Sequence, residues 1–142
     1  MARITLTSLL DDHRSSALLL ARLLVAFIFL WHGGPKALDV SMAYDKFVGF
    51  GLPGVLGPIT GWVEVIASAL LIAGFKHRWA SLALAVVIVG ALVTVQIPAG
   101  FTAGLERDLL ILAGTLVLAT HGPGRFAVDQ PVPTPVALAS AA

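Results

Sequence analysis

Hydrophobic and polar positions divide the chain into four long apolar runs separated by short clusters of glycine, proline and charge. The runs cover residues 17–34, 57–75, 80–97 and 103–122. Each approaches the roughly 20 residues that cross a ~30 Å hydrocarbon layer as a helix. The punctuation between them is chemically distinct. Gly33-Gly34-Pro35 predicts an end or a bend in the first run, because Pro35 has no N–H and pushes Gly34 out of helical geometry. Gly49, Gly51, Pro53 and Gly54 precede the second run, and Pro98-Ala99-Gly100 breaks the third. Lys76-His77-Arg78-Trp79 predicts a tight polar turn with Trp79 among the headgroups.

Within the connection 35–56, Met42, Ala43, Phe47 and Val48 form an apolar stripe that Asp45 and Lys46 avoid. That pattern predicts a short amphipathic helix at the membrane surface. The expected fold is therefore an all-α membrane protein, a four-transmembrane-helix bundle with a short amphipathic segment between helices 1 and 2. Residues 1–16 read as an interfacial segment, 17–129 as the membrane domain and 130–142 as a disordered tail with three prolines. Arg3 and Arg14 precede the first run as they would in a signal peptide. No small-residue cleavage site follows, so the run reads as a retained span.

Composition supports this solvent assignment. The chain is 58% hydrophobic and 12% charged, where a soluble domain has about 25% charged residues. A net charge of +1 leaves no electrostatic footprint for nucleic acid. The absence of cysteine excludes disulfides, thiol catalysis and cysteine-ligated clusters within the chain. With the N-terminus inside, Arg3, Arg14, Lys76, Arg78 and Arg125 fall on the cytoplasmic side, against Lys36, Lys46 and Arg107 outside. This bias predicts both termini in the cytoplasm.

Ionisable residues inside spans are costly, and they face protein or water beside a partner. Glu64 lies about 10 Å below the start of the second run. Arg22, His32 and Lys36 share about 80° of arc on the first helix if it stays regular. An up-and-down topology puts His32, Lys36, Glu64, Gln96, Glu106 and Asp108 in the outer half of the bundle, and Arg22 near the inner end. His32, Lys36, Glu64, Gln96 and Glu106 are the expected pocket residues, with Phe27, Trp31 and Trp62 as aromatic walls. Arg22 and Asp108 are expected to make secondary or structural polar contacts, and Arg22 has the alternative of snorkelling to the inner headgroups. Such a cluster would hold a ring with two polar ends, such as a quinone head, or would be a closed salt-bridge network. His13, His77 and His121 read as surface histidines. No spacing fits a metal site, and no catalytic or phosphate-binding motif is present.

Arg22-Leu23, Trp31-His32-Gly33 and Lys36, followed by Gly51-Leu52-Pro53, Gly61 to Glu64, and Gly74, are similar to the first two spans of DoxX-like proteins. Ile97-Pro98-Ala99-Gly100-Phe101, Glu106, and Gly122-Pro123-Gly124-Arg125-Phe126 with Asp129 resemble that family's last span and exit. Arg107 and Asp108 make the start of the fourth run more charged than the pattern expects. The resemblance implies a multi-pass protein of the bacterial inner membrane, linked to redox physiology. The implied role is an accessory subunit serving quinone-linked electron transfer. It would have no intrinsic cofactor and would need a membrane-associated protein partner. A non-catalytic scaffold and a small-solute or proton carrier, the latter requiring an oligomer, are the alternatives.

Overall fold

The computed structural model describes residues 6–129. The tail expected at 130–142 lies outside the described residues, as does the start of the expected N-terminal segment. The described residues form α1 (Leu6–Leu38), α2 (Val40–Gly49), α3 (Leu56–Ala73), α4 (His77–Ala91) and α5 (Ala103–Thr120), with no strand. A π-helical turn, Leu92–Gln96, extends α4.

α1 is one continuous helix of 33 residues, and Pro35 lies inside it. Of the two outcomes expected at Gly33-Gly34-Pro35, an end or a bend, the end is excluded, and residues 6–16 are not a separate element. Proline removes one hydrogen bond to the preceding turn, and packing on α3 secures the helix on both sides of it. Gly33 and Gly61 allow this contact. A Cβ on Gly33 would lie 2.6 Å from Glu64 Cβ, and one on Gly61 would lie 2.7 Å from both Lys36 Cβ and the Ala37 nitrogen. The two backbones therefore approach as small residues permit in membrane bundles.

Cross-links at the two ends establish the helix directions. Lys36 near the end of α1 meets Glu64 in the first half of α3, and Gln96 after α4 meets Asp108 near the start of α5. At the opposite end, Arg22 bonds to the backbone beyond α5, and His77 at the start of α4 bonds to His121 just after α5. Consecutive long helices thus run up and down. Val25, Ala26 and Phe29 of α1, Ala67 and Leu71 of α3, Ala80, Leu84 and Ile88 of α4, and Ile111 and Leu118 of α5 form one core. The outward faces are also apolar: Phe27, Ile66, Val86 and Leu110 are exposed. That is the arrangement expected where lipid is the solvent.

Among the described residues, three helices are long and apolar enough to cross a membrane, over His13–Leu38, Leu56–Ala73 and His77–Gln96. α5 has 18 residues, about 27 Å of helix. Glu106, Arg107 and Asp108 near its start keep it out of that set, so the expected four spans are matched by three spanning helices and a fourth bundle helix. α2 is capped by Asp39, whose Oδ1 accepts from the Met42 N–H at 2.9 Å. It lies on the start of α3, with Ala43 fully buried and the Tyr44 ring against Gly54. Met42 and Val48 remain exposed, so only Ala43 and Phe47 of the expected stripe turn inward.

Gly61→Ala should lower the thermal midpoint of the detergent-purified protein, at a cost of about 1–3 kcal/mol for overpacking. Gly90→Ala meets nothing within 4 Å and should leave the midpoint unchanged or raise it. Circular-dichroism melts of the two variants check this pair.

Candidate functional site

Polar side chains gather at two ends of the bundle. At the Glu64 end, the α1–α3 crossing brings Lys36 Nζ within 2.5 Å of Glu64 Oε1. The Lys36 and Glu64 side chains are 16% and 3% exposed, so this pair is shielded from water. Oε2 of Glu64 is buried and has no hydrogen-bond partner among the described residues. Across the bundle, Asp108 has both oxygens engaged: Oδ2 accepts from Gln96 Nε2 at 2.9 Å, and Oδ1 pairs with Arg107 Nε at 2.9 Å. The π-helical turn widens the end of α4 where Gln96 lies. Gly104 accommodates the amide, since a Cβ there would lie 2.5 Å from Gln96 Oε1.

Between these pairs is a cavity of about 410 Å³, lined by His32, Lys36, Lys46, Thr60, Glu64, Gln96, Arg107 and Asp108 together with apolar residues of α1, α3, α4 and α5. Its aromatic walls are Phe29, Phe47 and Phe50. The sequence pattern pointed to Phe27, Trp31 and Trp62 instead, but all three are exposed on the outer surface. Four of the five expected pocket residues, His32, Lys36, Glu64 and Gln96, line this cavity. Glu106 does not: it is exposed, and Asp108 takes the inward position. Two residues turn a helix by about 200°, so Glu106 and Asp108 face opposite sides. Lys46, Phe47 and Phe50 were missed because the connection containing α2 reads as a surface segment. Phe47 within the predicted apolar stripe was the available signal. Lys46 and His32 make no ion pair or hydrogen bond among the described residues. The cavity therefore presents hydrogen-bonding groups and apolar walls, while the unpartnered Glu64 Oε2 lies against Gly33, where a Cβ would be 2.8 Å from it.

The other end serves a different purpose. Arg22 is fully buried, which overturns the snorkelling alternative. Nη1 donates to the Pro123 carbonyl at 2.9 Å, and Nη2 donates to the Phe126 carbonyl. The chain beyond α5 then runs along the end of α3. The Val128 and Asp129 N–H groups bond to the Ala73 and Gly74 carbonyls, and Asp129 Oδ2 accepts from the Lys76 N–H at 2.5 Å. His77 is buried and bonds to the His121 carbonyl at 3.0 Å, so it is not the surface histidine its neighbours suggest. His13 and His121 are exposed. No group of three or more metal-ligating side chains occurs among the described residues.

The DoxX family profile matches residues 17–97. The chain belongs to the DoxX family. It is similar to the Bacillus subtilis (strain 168) protein named "Putative oxidoreductase CatD", with 30% identity over 111 residues, 78% of this chain and 83% of that protein. It is also similar to "Uncharacterized membrane protein Rv3486" of Mycobacterium tuberculosis (strain ATCC 25618 / H37Rv), with 30% identity over 126 residues, 77% of each chain. No solved structure matches. The DoxX match includes Arg22, His32, Lys36, Glu64 and Gln96, and it stops before Asp108 and the segment that Arg22 holds.

Lys36→Met alone strands the buried Glu64 carboxylate, which should destabilise the fold by about 3–5 kcal/mol. Lys36→Met with Glu64→Gln should recover most of that loss in reversible detergent unfolding. Arg22→Lys keeps the charge but removes the fork that spans two carbonyls. Hydrogen exchange across residues 123–129 should accelerate in that variant while the α1–α3 crossing remains protected.

Proposed function

We propose that this DoxX protein is an accessory membrane subunit of a quinone-linked redox system and holds a quinone head in the cavity beside Glu64. The observation that carries the reading is the unequal use of the two buried acids. Asp108 is fully engaged by Gln96 and Arg107, whereas Glu64 leaves Oε2 buried without a partner in a side chain that lines the cavity. A buried unsatisfied acceptor costs free energy, and such a cost is repaid when a ligand or a proton occupies the site. Lys46 and His32 supply donors for a ring carbonyl, and the phenylalanines supply flat apolar contact. A volume of about 410 Å³ suits a ring-sized head. The oxidoreductase name carried by the Bacillus relative agrees with a redox setting.

In this reading the chain has no flavin, haem or cluster of its own, and electrons pass through a membrane-associated partner. α5 completes a four-span bundle in the bacterial inner membrane, with both termini cytoplasmic and the Glu64 end toward the outer face. The competing reading is a scaffold for another protein. It is favoured by the existing pairing of Lys36 with Glu64 and of Arg107 with Asp108, which would fix the bundle without a ligand.

Quinone content after gentle detergent purification separates the two. Near-stoichiometric quinone in the wild type, lost in Glu64→Gln or Lys36→Ala while the helical signal persists, is the expected result. Absence of retained or rebound quinone in the folded wild type would instead assign the polar cluster to bundle stability.

A further inference from the structure

A second, smaller hollow of about 290 Å³ is lined by Phe27, Ile28, Trp31, His32 and Arg107. Three of these, Ile28, His32 and Arg107, also line the main cavity. The two spaces are therefore separated by side chains of α1 and α5. Phe27 and Trp31 form the far wall of the smaller hollow, with ring centroids 6.2 Å apart, and they are 62% and 71% exposed. Phe27 lies one turn before Trp31 on the outward face of α1, among the exposed apolar residues Leu20, Leu23 and Leu24. The smaller hollow thus lies between the cavity beside Glu64 and the outward face of α1, with Ile28, His32 and Arg107 as the wall it shares with the cavity.

We infer that the cleft between α1 and α5 is the passage for the apolar tail of a membrane-dissolved amphiphile, whose polar ring occupies the main cavity and whose tail leaves over Ile28 along Phe27 and Trp31. This rests on the proposed head-group site and specifies its ligand class: a tailed, lipid-borne molecule and not a water-soluble metabolite. The main cavity is of head-group size, so a long tail has to leave it. In this inference it passes between the Ile28, His32 and Arg107 side chains that divide the cavity from the smaller hollow. Lipid chains are as apolar as the tail, so the cleft adds little affinity. It determines the route and the position of the tail.

The chain has no cysteine, so a single introduced thiol reports one position. Phe27→Cys puts the thiol in the smaller hollow and outside the main cavity. Ile66→Cys puts it on another exposed apolar face, outside both spaces. Each full-length variant in nanodiscs is labelled with a lipid-soluble maleimide, with decylubiquinone or a short-tailed ubiquinone carrying one isoprene present at matched occupancy. Ligand at about ten times its Kd fills ~90% of sites, so a tail in the cleft should slow labelling of Phe27→Cys about tenfold. The short-tailed quinone should leave that rate unchanged, and Ile66→Cys should respond to neither. Decylubiquinone that binds in a Glu64-dependent way without protecting Phe27→Cys overturns the tail route and leaves the head site standing. If neither quinone binds, the head site and the inference fall together.

Discussion

The close crossing of α1 and α3 is the constraint on which the rest of the structure depends. Gly33 and Gly61 remove the side chains that would hold the helices apart. Only at that separation does Lys36 reach Glu64 at 2.5 Å within a shielded interior. An isolated charge at this depth is costly, and pairing offsets the penalty. The same contact carries α1 through Pro35, since a helix held on both sides of a missing hydrogen bond need not stop there.

The opposite end solves a problem of unpaired backbone. Buried backbone without regular structure needs internal hydrogen-bond partners. After α5 the chain is irregular, and Arg22 supplies two donors from inside the bundle to the Pro123 and Phe126 carbonyls. The Val128 and Asp129 backbone bonds to the end of α3, and the Asp129 carboxylate holds the N–H of Lys76, which sits at φ 46°. One buried cation therefore stabilises a segment about a hundred positions away in sequence. The two polar ends divide the work: at one, both terminal nitrogens of Arg22 bond to backbone carbonyls while Nε has no partner among the described residues, and at the other Glu64 pairs with Lys36 through Oε1 alone.

How far the site was legible depends on helical phase. His32, Lys36, Glu64 and Gln96 were readable because spanning helices turn their few polar groups toward protein or a cavity, although His32 is exposed and only Glu64 is buried. Glu106 was placed in the pocket and Asp108 outside it, the reverse of the structure, because their facing depends on how α5 is rotated in the bundle. Rotation is fixed by packing against α4, where Gln96 on a π-helical turn selects Asp108. A π-helical turn leaves no hydropathy signature. The aromatic walls failed for a related reason: Phe27 and Trp31 face lipid, where apolar residues are as acceptable as in a core, so hydrophobicity alone cannot separate the two surfaces.

The sequence by itself determined the solvent, the all-helical class, the up-and-down order and the membership in the DoxX family, because each follows from composition, run length and ordered motifs. It also identified which polar groups lie too deep to be solvated. Only the tertiary structure decided that α1 passes through Pro35, that Arg22 clamps the exit segment and that α2 contributes Lys46 and Phe47 to the cavity. The physical reason is that these outcomes depend on contacts between distant segments. Such contacts set helix rotation and separation to within an ångström, whereas the pattern along one chain fixes only which residues can share a face.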